Sequence, residues 1–221
     1  MKGIMKYSIL ILSMAVACRA ASLSTWTPTL QMDSMGGREL AMADAGAAAA
    51  GDVYAIGSNP AGLSSLRRPE TGGTYIDWFE GMSRLNFAVA VPLPGRRSPS
   101  TTQPAAPPGR WGVVGAGVVV FQMDPFDEYD TNLDRLQEQI RVNEYALTAG
   151  YGANPAQWIW KESAVRLSAG LSLKAIRSSI AERSATAFAG DFGLQYKMRI
   201  LKSASENLTF GFAVQNFGTP L

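Results

Sequence analysis

From about residue 72 onward, apolar and polar side chains alternate with a period of two, as in strands that show one apolar and one polar face. Arg84 to Val91 sets Leu85, Phe87, Val89 and Val91 against Arg84, Asn86, Ala88 and Ala90. Val165 to Ala175 alternates Leu167, Ala169, Leu171 and Leu173 with Arg166, Ser168, Gly170, Ser172 and Lys174. Thr186 to Met198 opposes Phe188, Phe192, Leu194 and Tyr196 to Ala189, Asp191, Gln195 and Lys197, and Leu208 to Val214 and Tyr145 to Tyr151 follow the same rule. Trp111 to Met123 is apolar on both faces, and Thr74 to Phe79 is a weaker first strand. The pattern predicts about seven strands of roughly 8 to 13 residues. Transmembrane β-strands need about 9 to 11 residues, whereas soluble strands average about 5 to 6. Length therefore favours a membrane wall, with Trp78, Trp111, Phe121, Tyr145, Tyr151 and Tyr196 as interfacial girdles. The competing soluble sandwich fits less well, because the polar faces carry small residues and isolated charges, which suit a lumen. Residues 80–83 read as a short turn, 93–110 as a mobile proline-, serine- and threonine-rich loop, and 124–139 as an acidic surface loop.

Ahead of the strands the period changes. Residues 36–68 are dominated by small side chains, and Arg38 to Ala50 is alanine-rich and helix-favouring. Asn59 has the chemistry of a helix N-cap and Pro60 that of a first helical residue, predicting a short helix through Leu66. Leu40, Val53, Ile56, Leu63 and Leu66 are the larger apolar members. A segment this poor in apolar bulk cannot offset its own ordering entropy. It must be buried inside a wider structure, as a plug within the sheet. Arg84, Glu144, Arg166, Lys174 and Asp191 fall on the inward phase of the strands, where they are expected to pair with one another in a network that fixes plug and barrel or, alternatively, to make polar contact with a passing ligand. Of these, Arg84, Arg166 and Asp191 are expected to hydrogen-bond the plug's backbone. Together with Asn59, Pro60 and Ala61 they form the candidate ligand or lumen site.

The N-terminus reads as an export signal: Lys2 and Lys6, an apolar run from Tyr7 to Ala17, and an A-x-A pattern at Ala15-Val16-Ala17. Cys18 follows at once, which opens lipidation as an alternative, although Ala15 stands where lipoprotein signals usually place leucine. The expected organisation is a signal peptide over 1–20, a plug or hatch over 21–70 and barrel strands over 71–221.

Composition narrows the chemistry. Charged residues make up 17% of the 221 residues, against about 25% in a soluble domain. The formal net charge is +2 with no clustered basic stripe, so no nucleic-acid partner is implied. Histidine is absent, removing the commonest general base and metal ligand. One cysteine makes neither an internal disulfide nor a thiolate cluster. The acidic stretch with Asp124, Asp127, Glu128, Asp130 and Asp134 lacks the alternate spacing and sixth-position glycine of a calcium loop. Gly115-Ala116-Gly117 lacks the third glycine of a dinucleotide fingerprint, since Val120 stands there. Asn207-Leu208-Thr209 is a sequon lying on a predicted strand. No cofactor, metal or catalytic set is expected.

The stretch Met35-Gly36-Gly37-Arg38-Glu39-Leu40-Ala41-Met42-Ala43-Asp44-Ala45-Gly46, followed by Ala55-Ile56-Gly57-Ser58-Asn59-Pro60-Ala61-Gly62-Leu63, resembles the N-terminal region of the PorV/PorQ family. That family is similar to the FadL long-chain fatty-acid transporters. Asn59-Pro60-Ala61-Gly62-Leu63 matches its pattern fully, while Ser58 replaces a common tryptophan and Met42-Ala43-Asp44 departs from Met-Gly-Gly. Phe212 to Gly218 is similar to a strand end of the family. The resemblance implies an all-β, antiparallel transmembrane β-barrel of about fourteen strands around a small helical N-terminal plug. About half of those strands are seen, so a C-terminally truncated copy is expected. It also implies a bacterial outer-membrane location with outer-membrane lipid as a partner. The implied function is a channel for hydrophobic small molecules or, alternatively, a PorV-like secretion component that binds exported protein cargo. A lipidated surface protein of soluble β architecture is the third possibility.

Overall fold

A computed structural model describes residues 35–93, 111–129, 135–155, 166–199 and 207–219. The expected signal peptide, Cys18, the proline-rich loop and the chain end at Pro220-Leu221 lie outside the described residues. Seven strands form one antiparallel meander in chain order: β1 (Glu70–Asp77), β2 (Met82–Pro92), β3 (Val113–Tyr129), β4 (Arg135–Ala153), β5 (Arg166–Ile180), β6 (Arg183–Arg199) and β7 (Asn207–Gly218). Among the described residues, β1 pairs with β2 alone and β7 with β6 alone. The fold is all-β and barrel-like, as the alternation predicts.

The strands turn over where local chemistry demands it. Between β1 and β2, Glu80 and Gly81 take positive φ, and the Trp78 amide donates to the Met82 carbonyl at 2.8 Å. Ala181-Glu182 joins β5 to β6 as a two-residue hairpin loop, with Ala181 at φ 52° and Ile180 paired with Arg183.

Two expectations are corrected. The acidic stretch from Asp124 is not a loop up to residue 139, because β3 continues to Tyr129 and β4 begins at Arg135. Register shifts between Met123 and Phe126 and between Asp127 and Tyr129 break the alternation. Pro125 sits inside the first shift. A bulge is where a sheet accepts proline and where period-two reading fails. Phe121 is not a girdle residue either. It shares the inward phase of Gly117 and Val119, and its ring is buried within the curve of the sheet.

The inner face of the sheet encloses the hatch. The hatch is built of α1 (Gly37–Ala41), α2 (Gly46–Ala49), α3 (Ala55–Ser58) and a 3₁₀ helix over Pro60–Ser65. The alanine-rich stretch makes two short helices, because Ala43 and Asp44 take positive φ between them. The 3₁₀ helix packs against β3, β4, β5 and β6, α2 against β6 and β7, and α3 against β3 and β4. Thr74 on β1 donates to the Tyr54 hydroxyl at 3.1 Å, and Asn86 on β2 to the Met35 carbonyl at 3.1 Å. One small segment thus touches all seven strands, which requires the sheet to curl around it. The apolar core lies at that junction: Val53, Ile56 and Leu63 from the hatch meet Ala88, Val113, Val119, Ala146 and Ile176 from the wall. Each of the three hatch side chains contributes roughly 1.5–3 kcal/mol by leaving water.

The close approach depends on wall glycines. A Cβ at Gly170 would overlap the Pro60 carbonyl group, and one at Gly193 would overlap the Asn59 amide. Gly190, on the outer face, differs: a Cβ there meets nothing nearer than 3.4 Å. Gly170→Ala and Gly193→Ala should each cost about 1–3 kcal/mol through overpacking, whereas Gly190→Ala should change stability little. Denaturant unfolding of the three variants checks this. Equal effects at all three sites would show that the hatch does not need a bare backbone beneath it.

Candidate functional site in the lumen

Short helices leave most of their carbonyl oxygens without helical partners. The hatch is made of such helices, so its seat must present donors. Asn59 begins the 3₁₀ helix in an extended conformation, φ −154° and ψ 98°, with Pro60 following as its first residue. Its Oδ1 accepts from the Ala61 amide at 3.1 Å, the cap the sequence predicts. Its Nδ2 donates to the Ala47 carbonyl of the hatch at 2.6 Å and to the Leu194 carbonyl of β6 at 3.2 Å. One fully buried side chain therefore caps a turn, ties it to α2 and tethers both to the wall. Pro60 and Ala61 are buried beside it, on the floor that Gly170 leaves open.

The wall supplies two further amide donors. Gln195 on β6 donates to the Ala50 carbonyl at 2.8 Å and the Ala47 carbonyl at 3.2 Å. Gln215 on β7 donates to the Gly57 and Ser58 carbonyls at 2.8 and 3.0 Å. These groups satisfy the C-terminal ends of α2 and α3. Lys197 donates to the Ser65 hydroxyl at 2.7 Å, and the Ser64 and Ser168 hydroxyls are 2.7 Å apart.

The predicted inward residues are placed as follows. Arg84 is buried on the inner face, and its Nε donates to the Asn86 Oδ1 at 2.9 Å. It thereby orients the amide that holds the Met35 carbonyl. Asp191 is also buried inward, but the bonds it makes belong to the wall. It accepts from the Ser172 hydroxyl, from the Asn216 amide at 2.8 Å and from Lys174 at 3.0 Å. The expectation that it bonds the hatch backbone is corrected, since Ser172, Lys174 and the Asn216 amide of the wall take up its carboxylate. The Arg166 backbone pairs with Lys197 across β5 and β6, and its side chain lies outside the described residues. Sequence reasoning missed Gln195 and Gln215 as hatch donors. Gln195 stands on the inward phase of β6 and was legible as such. Gln215 continues the inward phase of Gly211 and Ala213 on β7 and lies one residue beyond the Leu208 to Val214 stretch, just before the register shift at Asn216.

Glu39 on α1 is 3% exposed. Burial pushes its carboxyl up from 4.5 to about 7, the nearby Asp52 and Asp44 charges push in the same direction, and the Ser58 hydrogen bond and Arg38 oppose the rise. Outside the seat, on the opposite face of the sheet, Ala149 and Gly190 floor an apolar groove of about 710 Å³ walled by Tyr151, Leu171, Leu173 and Phe217.

No family model matches the chain, and neither curated proteins nor solved structures give a match to it.

What the lumen does chemically follows from its donors and glycines: it holds a poorly cohesive segment by its backbone. Asn59→Asp keeps the cap acceptor and loses the Nδ2 donor. It should cost about 1–3 kcal/mol, because a carboxylate oxygen then faces the Ala47 and Leu194 carbonyls in place of a donor, measured as a lowered denaturation midpoint. A variant as stable as the parent would show that the bonds to Ala47 and Leu194 hold nothing.

Proposed function

We propose that the chain is an outer-membrane channel for hydrophobic compounds, similar to the FadL transporters, with the hatch closing its lumen. The observation that carries this is the polarity of the wall. Leu173 is 73% exposed and Phe188 64% on the outer face, while Asn86 and Glu144 are fully buried on the inner one. Exposed apolar surface of that extent is a liability in water and an asset in hydrocarbon. The strands β3 to β7 run 12 to 19 residues, enough to cross a bilayer on a tilt. No helix among the described residues is long and apolar enough to cross a membrane, so the strands would do it. The resemblance of the Asn59 to Leu63 stretch to the PorV/PorQ pattern supports the same reading.

The wall is tested by charge. Leu171→Arg should cost about 2–4 kcal/mol in bilayers if it lies near the midplane. Because Leu171 is largely exposed, the same change would be close to neutral in a soluble protein. Urea unfolding in lipid vesicles measures the difference.

The hatch is tested by tethering. Ser64 and Ser168 place their hydroxyls in contact across hatch and wall, so the double variant S64C/S168C, in a Cys18→Ser background, provides a reversible lock. Oxidation should stop uptake of a long-chain fatty acid into vesicles, and a reductant should restore it. Deleting residues 36–66 from the full-length protein should leave a barrel that still assembles but leaks small solutes. If neither manipulation alters permeability or uptake, the hatch is no gate. The chain then reads better as a PorV-like secretion component that holds exported cargo on a fixed, plugged barrel.

A further inference from the structure

The hatch holds one acid in a place where a charge is costly. The Glu39 side chain extends from α1 into the space between α2 and α3. The Ser58 hydroxyl of α3 donates to its Oε1 at 2.6 Å. On the α2 side there is no room: a Cβ on Gly46 would lie 3.1 Å from the Glu39 carboxyl carbon. Its Oε2 is buried without a hydrogen-bond partner. The charged groups around it are Arg38 on α1 itself, Asp44 in the turn before α2 and Asp52 in the connection before α3. The helices α2 and α3 carry no titratable side chain. A carboxylate here would have one neutral donor, one orphaned oxygen and two negative neighbours against a single arginine. A neutral carboxyl suits the site better, because an unpaired buried charge costs far more than an unpaired dipole.

We propose that Glu39 is a proton-operated latch of the hatch: protonated, it lets α1, α2 and α3 pack together on the wall, and ionised, it drives them apart. This rests on the gating function for its consequence in transport, though not for the movement itself. The sign follows from linkage. The folded hatch holds the proton more tightly than the loosened one, in which Glu39 returns to an ordinary carboxyl. Closure is therefore fully favoured below about pH 4.5 and is lost as pH rises through about 7. Within that window each pH unit shifts the closed-to-open ratio by up to about tenfold.

The experiment follows the hatch directly. In a Cys18→Ser chain reconstituted in phospholipid vesicles, a cysteine replaces Ala55, which is fully buried on α3. Its maleimide labelling rate is measured from pH 5 to 9, and each rate is divided by that of the Glu39→Gln version at the same pH, which cancels ionisation of the thiol. The ratio should rise by up to about tenfold per pH unit from pH 5 and level off above about pH 7. Two further variants move the midpoint in opposite directions. Ser58→Ala removes a bond that favours the charged form and should shift it to higher pH. Asp52→Asn removes a repelling charge, keeps an acceptor for the Tyr54 amide and should shift it to lower pH. A merely structural Glu39 would move neither. A flat ratio overturns the latch, as does a Ser58→Ala or Asp52→Asn midpoint that stays put. Solute flux through the same vesicles separates the two ideas. Labelling that tracks pH without a change in flux supports the latch and removes the channel.

Discussion

Everything in this fold turns on the hydrogen bonds that side-chain amides make to backbone carbonyls between the hatch and the wall. The hatch is a chain of helices only four to six residues long, too short to stand alone in water. Its carbonyl groups find partners because Asn59, Gln195 and Gln215 carry amides to them. Those amides reach because the wall beneath is glycine at Gly170, Gly193 and Gly211, so the two backbones lie nearly in contact. Removing either half leaves buried polar groups without partners, which costs more than the bonds contribute when made.

The same set of bonds explains why the wall is polar inside. A purely apolar lumen would bury the hatch's few large side chains but strand its carbonyls. The inner face therefore mixes alanine and glycine floors with isolated donors. It also carries an internal ionic network, with Lys174 between Asp191 and Asn216 at 3.0 and 2.7 Å. That network stands where β7 slips register against β6 and Asn216 takes a positive φ of 57°. A buried pair of this kind is weak as a source of stability. Its observable effect here is geometric: the Asp191 carboxylate receives the Asn216 amide and closes the bulge that follows Gln215. The large apolar side chains then fall on the outer face, and the groove beside Gly190 belongs to that side.

How much of this was legible differs from element to element. Strands β2, β5 and β6 announce themselves by clean alternation, and the buried states of Arg84, Lys174 and Asp191 follow from their phase. The Asn59 cap and Pro60 follow from residue type alone. The far ends of β3 and β4 do not, because two bulges and Pro125 imitate a loop. The hatch's true partners were also hidden. Arginine and aspartate looked like the natural lumen contacts, yet the carbonyls at helix ends called for neutral amides.

The sequence by itself determined which faces of the strands are apolar, that the stretch from Gly36 to Leu66 lacks the bulk to fold alone, and where its 3₁₀ turn begins. These are local properties, set by side-chain period, side-chain volume and capping chemistry. Only the tertiary structure decided that all seven strands share one hatch, that Gln195 and Gln215 are its donors, and that Glu39 is shut between three helices away from water. Each of those facts joins residues far apart in the chain. Their pairing depends on strand register and sheet curvature, and a single bulge is enough to change both.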